Sequence, residues 1–322
     1  MIQHMAVDPE LLEPLNAFME MMGGEVNLDD IEATRAQSEE FFAAILAEAP
    51  VIEGVESRDL QVPGSDGDPD VVVRIYRLVA QVQASPALLW IHGGGYVLGD
   101  IDSTDLVVRQ LVADTGCVVA SVDYRLAPEN PYPAPLEDCY AALRYLFDQA
   151  GVLQVDSTRI AVGGASAGGG LAAGLALLAR DRGEFDIAFQ LLIYPMLDDR
   201  NVQPASEQRP DTLLWTRKNN LIGWRSYLDQ EPGTGDVSPY AAAFRADDLS
   251  GLPPAFIPVG DLDLFLDENI EYARRLIAAG VRTQLNVYPG AYHAFDTFAP
   301  MAALSRQLLA DRNNALVRAL FD

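Results

Sequence analysis

Histidine is scarce in this chain: its 322 residues include three, His4, His92 and His293. Any reaction that needs an imidazole base must draw on that short set. Lysine is scarcer still, with Lys218 alone beside 21 arginines. The two cysteines, Cys117 and Cys139, stand in apolar surroundings and form no C-x-x-C pair. That pattern supports neither a zinc ribbon nor a dithiol redox site, and both thiols are expected to be buried and free. No apolar run approaches the roughly 18 residues of a membrane span, so no membrane insertion is expected. Near the N-terminus, Asp8, Glu10 and Glu13 stand where a secretory signal would carry basic residues. The cytoplasm is therefore the expected location. A formal charge of −25 repels the phosphates of nucleic acids and anionic membranes, which excludes both as expected partners.

What is present is an apolar content of 49 %, enough for a large core. Leu11, Leu12, Leu15, Phe18, Met19 and Met22 recur at helical spacing, and 31–49 predicts a second helix. Met19 and Met22 are either core filler or part of a substrate wall. Segments 55–62 and 70–77, joined by a turn rich in Gly, Pro and Asp, predict a hairpin at a sheet edge. From Pro86 the pattern becomes β/α alternation. Strands are expected at 87–91, 117–123, 159–163 and 188–194, with helices at 104–115, 136–150 and 167–182 between them. Such alternation means an α/β fold, a mostly parallel sheet covered by helices on both faces. Segment 196–250 interrupts it and reads as an inserted helical cap. Leu213, Leu214, Trp215, Leu221, Trp224 and Tyr227 either line a pocket there or pack the insertion onto the sheet. Alternation returns at 255–259, 267–279 and 283–288, with a last helix from 299 onward. The expected division is N-terminal helices at 1–50, core at 51–195, cap at 196–250 and core again at 251–322.

Gly164-Ala165-Ser166-Ala167-Gly168 lies between a predicted strand and a predicted helix. A tight strand–Ser–helix turn lifts the hydroxyl above the sheet, and small residues at 164 and 168 leave room for it. The segment lacks the lysine and spacing of a phosphate-binding loop. His92-Gly93-Gly94-Gly95 follows another strand, and its glycines allow free amides to approach a ligand. Gly94, Gly95 and Ala167 are the candidate oxyanion donors. Gly93 and His92 are expected to support that loop, which leaves His293 as the base for Ser166. Four acids follow the next strand. Asp267 and Glu268 suit a helix start, Asp261 suits the turn, and Asp263 reaches furthest into the loop. The order Ser166, Asp263, His293 then completes a nucleophile–acid–base set. Tyr96, Met19, Met22, Leu214 and Trp215 are candidate substrate-pocket residues. No metal or organic cofactor is required.

These motifs resemble the hormone-sensitive-lipase family of α/β-hydrolases, the bacterial family IV esterases, over residues 85–300. The likeness rests on His92-Gly93-Gly94-Gly95, on Asp123-Tyr124-Arg125-Leu126-Ala127-Pro128-Glu129, and on Tyr132-Pro133-Ala134-Pro135 with Asp138. The nucleophile turn, the Asp263 loop before Asp267-Glu268, and Tyr288-Pro289-Gly290 before His293 extend it. The resemblance implies a Ser166–Asp263–His293 triad and hydrolysis of small-molecule esters with short to medium acyl chains. It also implies a cap built from the N-terminal helices and 196–250, a brace involving Arg125 and Glu129, and a homodimer through the sheet edge. Ala165, Ala294, Leu264 and Leu266 depart from the residues usual in that family, and they bear on substrate preference. Acyl transfer through the same serine, and a non-catalytic ligand-binding relative, are the alternative readings.

Overall fold

A computed structural model describes residues 7–21, 26–65, 67–203 and 212–322; His4 and part of the cap expected at 196–250 lie outside them. The chain opens with helices α1 (Pro9–Met21) and α2 (Ile31–Glu48). Asp30 caps the second by accepting the Ala33 amide at 3.0 Å. A hairpin follows, β1 (Val55–Val62) and β2 (Val71–Leu78). Next come β3 (Ser85–Ile91), α3 (Asp105–Thr115), β4 (Val118–Asp123), α4 (Ala134–Asp148) and the single turn α5 (Ala150–Leu153). Then follow β5 (Val155–Ala165), α6 (Ala167–Arg182), β6 (Phe189–Ile193) and α7 (Arg217–Leu228). The chain ends with β7 (Ala255–Gly260), α8 (Leu266–Ala278), β8 (Thr283–Tyr288), α9 (Phe295–Phe298) and α10 (Ala303–Leu320).

The strands form one sheet in the order β1-β2-β4-β3-β5-β6-β7-β8. Only β2 pairs antiparallel, with β1 on one side and β4 on the other. The remaining ladders are parallel, as expected of strands that are apolar on both faces. Side chains alternate across the sheet, so β3 feeds two cores. Ala87, Leu89 and Ile91 join the cluster beneath α4, α6 and α8. Leu88 and Trp90 join the cluster beneath α3 and α10. This is the α/β-hydrolase architecture, with the N-terminal helices as a cap.

Three features differ from the sequence reading. Strand β5 is longer than 159–163, because Val155 also pairs with Ser85 across a register shift. The last helix is broken at Pro300: Ala299 leaves the helical region at φ −129 and ψ 57, as residues before proline do. The brace involving Arg125 and Glu129 is two separate ones. Arg125 turns to Asp138 of α4, a side chain 1 % exposed that accepts Arg125 N at 2.9 Å and Nη2 at 2.7 Å. Glu129 is exposed and takes Arg35 of α2 at 2.8 Å, while that guanidinium also donates to the carbonyls of Val97 and Ala127. Arg35 thereby ties α2 to the loop after β3.

Removing one member of a buried pair strands the other. Asp138→Ala is expected to lower the unfolding free energy by about 3 kcal/mol. A lower urea midpoint at unchanged slope is the reading that checks it.

Candidate active site

Ser166 stands between β5 and α6 with φ 57 and ψ −121, a conformation side chains other than glycine rarely adopt. Three backbone bonds hold it: its amide donates to Ile193 O at 2.9 Å, and its carbonyl accepts Met196 N and Gly170 N, each at 3.0 Å. The flanking glycines are steric necessities. A Cβ at Gly164 would lie 2.4 Å from Ile91 O, and one at Gly168 would lie 2.1 Å from it.

The turn aims Ser166 Oγ at His293 Nε2, 2.9 Å away. On the other side of the ring, His293 Nδ1 lies 2.7 Å from Asp263 Oδ2. Asp263 is held in turn, its Oδ1 accepting the Phe265 amide at 2.8 Å. Tyr194 and Phe265 place their rings against the imidazole at 5.0 and 5.1 Å. All three triad members are buried. The other acids have different work. Asp261 accepts the Gly290 amide at 2.6 Å and shapes the turn before His293, while Asp267 is exposed. Glu268 is buried and holds Leu197 N at 2.7 Å and Asn201 Nδ2 at 2.9 Å, and burial pushes its carboxyl well up from the ordinary range. Sequence reasoning missed this role, although Glu268, Tyr272 and Leu276 fall on one helical face.

The loop after β3 passes beside the nucleophile. Gly94 and Gly95 have φ 117 and 61, and neither amide has a hydrogen-bond partner among the described residues. Ala167 N is the first amide of α6, where no helical acceptor exists. His92 lies outside the triad. Its Nδ1 donates to Gly93 O at 2.8 Å, and its ring stacks on Tyr124 at 4.2 Å. Burial lowers the His92 imidazole to about 4, so it is neutral.

A cavity of about 200 Å³ contains Ser166, His293 and Gly93 to Gly95 in its wall. Leu214 and Trp215 line it, and Trp215 packs where a Cβ on Gly95 would stand, 2.1 Å away. Tyr96 does not. Its φ of 68 turns the side chain beneath the loop, stacked 4.0 Å from Tyr227 with its hydroxyl donating to Met196 O. Met19 packs half-buried against the second core while its neighbour Phe18 reaches the cavity. Met22 lies outside the described residues. Phe41 and Phe42 of α2, Phe298, Asp296 and Arg312 complete a wall that the motifs did not reveal. Among the described residues, no group of three His, Cys, Asp or Glu side chains is placed to hold a metal. Cys117 and Cys139 are buried and unbridged. No described helix is long and apolar enough to cross a membrane.

Two outcomes follow from this geometry. Ala294 has φ 59 beside His293, so Ala294→Gly is expected to raise stability by about 0.5–1 kcal/mol in thermal unfolding. His92 ties stability to pH. The unfolded imidazole binds a proton near its ordinary value while the folded one resists until about 4, so its contribution is full at neutral pH and is lost as pH falls through that window. Between pH 7 and pH 4 this amounts to roughly 3 kcal/mol. Urea titrations should show a flatter loss over that window in His92→Asn.

Comparison with known proteins agrees with this geometry. A family model described as the alpha/beta hydrolase fold matches residues 88–297. The chain is similar to carboxylesterase NlhH of Mycobacterium tuberculosis, 39 % identical over 264 residues that span 80 % of this chain and 81 % of that one. Esterase LipI of the same organism is 37 % identical over 91 % of this chain and 89 % of its own. A solved bacterial heroin esterase superposes with a TM-score of 0.91 at 42 % identity, covering 98 % of each chain. With its Ser166–His293–Asp263 network and these relatives, the chain belongs to the α/β-hydrolase family, in the hormone-sensitive-lipase-like branch of serine esterases.

Proposed function

We propose that the chain is a carboxylesterase for small-molecule esters with short to medium acyl chains, acting through an acyl-enzyme. The observation that carries this reading is the unbroken chain from Ser166 Oγ through His293 to Asp263, at 2.9 and 2.7 Å. His293 Nε2 takes the serine proton as Oγ attacks the ester carbonyl. The amides of Gly94, Gly95 and Ala167 receive the oxyanion, each donor contributing about 3 kcal/mol in the transition state. Asp263 fixes the tautomer of His293 and stabilises the imidazolium. The imidazolium then protonates the leaving alcohol, and water activated by the same ring releases the acid. His92 and Gly93 serve as supports of the donor loop, with His92 bonding to Gly93 O.

The cavity supports the size preference. About 200 Å³ falls below the roughly 300–1,000 Å³ typical of sites for drug-sized ligands. Its cover supports a two-part cap: α2 supplies Thr34, Ser38, Phe41 and Phe42, and the 196–250 segment supplies Leu214 and Trp215. The same reading takes the enzyme as cytoplasmic and as a homodimer through the sheet edge. At the β8 edge, the exposed Val287 supports the second point. Light scattering at twice the 35.0 kDa chain mass checks it.

Hydrolysis of p-nitrophenyl esters from acetyl to palmitoyl tests the chemistry. Turnover should peak at butyryl or hexanoyl. Ser166→Ala and His293→Ala should each lower kcat by about 10⁶, and Asp263→Asn by about 10⁴. Hexyl ester formed when hexanol is added would reveal acyl transfer, and silence on every ester from folded protein would favour a ligand-binding role.

A further inference from the structure

The cavity does not end at the triad. It continues along α3, α9 and α10, and there its wall becomes polar: Trp90, Thr104, Asp296, Thr297 and Arg312 line it. Arg312 is 2 % exposed on the buried face of α10, between Leu308 and Leu316. Its Nε donates to Asn313 Oδ1 at 3.0 Å. Among the described residues it forms no ion pair, and neither Nη atom has a hydrogen-bond partner. Trp90 Nε1 and Thr104 Oγ1 are buried atoms without partners. Thr104 precedes α3, yet its side chain makes no capping bond. Asp296 offers the matching acceptor, with one oxygen taken by the Tyr194 hydroxyl at 2.8 Å.

Buried donors are ordinarily satisfied, so two in one wall, beside a guanidinium whose Nη atoms are unpaired, mark a place for an oxygen. The charges select which oxygen. Arg312 and Asp296 both line this end of the cavity, and among the described residues they form no ion pair with each other, so it offers a guanidinium donor and a carboxyl acceptor. A group between them must accept from the guanidinium, the indole N–H or the threonine hydroxyl, and donate to the carboxylate. A hydroxyl does both. A methyl does neither, and a carboxylate meets the like charge of Asp296.

We propose that this end of the cavity is a hydroxyl-binding subsite formed by Arg312, Trp90, Thr104 and Asp296, and that the preferred substrates are esters whose chain carries a hydroxyl at its far end. The inference rests on the esterase reading above and names the substrate class for it.

The test compares kcat/KM by pH-stat titration for ethyl 6-hydroxyhexanoate, ethyl hexanoate and monoethyl adipate, and for 6-hydroxyhexyl acetate and hexyl acetate. One pair should show a preference of about tenfold or more for its hydroxylated member. That pair identifies whether the acyl or the alcohol half enters the subsite. The preference should fall severalfold in Thr104→Val and in Trp90→Phe, and disappear in Arg312→Met. Thr104→Val removes no capping bond, so it keeps the test informative if loss of Arg312 impairs folding. A wild-type ratio near one on both pairs, with hexanoate turned over, means that water alone fills the space and overturns the subsite. So does an unchanged preference in folded Thr104→Val, Trp90→Phe and Arg312→Met, or monoethyl adipate as the best acyl donor. Silence on all five esters overturns the esterase reading itself, and the subsite with it.

Discussion

The site depends on how closely three backbones meet at Ser166. The carbonyl of Ile91, at the end of β3, lies where side chains on Gly164 and Gly168 would have to go. That contact joins β3, β5 and α6 at one point and leaves the serine in its unusual conformation. The next residue after Ile91 is His92, so the same crossing sets where the glycine loop begins. Nucleophile and oxyanion donors are therefore placed by one steric event. A single methyl at either glycine would disturb both.

A second junction lies at the start of α8. Asp263, just before that helix, orients the base, and Glu268, in its first turn, holds the Leu197 amide and the Asn201 side chain. One helix end thus carries the acid of the triad and the anchor of the segment that leads to the covering residues Leu214 and Trp215. Desolvation of Glu268 is offset by these bonds to donors that would otherwise be buried alone. The base and the roof of the cavity share a foundation.

The fold and the triad were legible because their signals are local. Strands apolar on both faces, a serine between small residues and a lone late histidine each state their role within a few positions. The remainder needed three dimensions. Tyr96 follows the glycine loop and invites a pocket assignment, but its positive φ sends it downward onto Tyr227. Arg125 and Glu129 are neighbours in one motif, yet their partners come from α4 and α2. Glu268 and Arg312 were readable in principle, since each falls on the buried face of its helix with leucine at helical spacing. A charged residue on an apolar stripe is the trace that a buried polar site leaves in a sequence.

The division of the interior by the sheet has a consequence for how such an enzyme diversifies. The interior strand residues that touch the cavity, Trp90 and Ile193, belong to the core beneath α3 and α10. The helix that follows the nucleophile packs on the opposite core, with Leu171, Ala172 and Leu175. Substitutions at these strand positions therefore reshape the substrate space from one side of an eight-stranded partition, while the helix behind the serine packs on the other. Selection can work on the first without eroding the second, so the chemistry is inherited while the preference is free to drift.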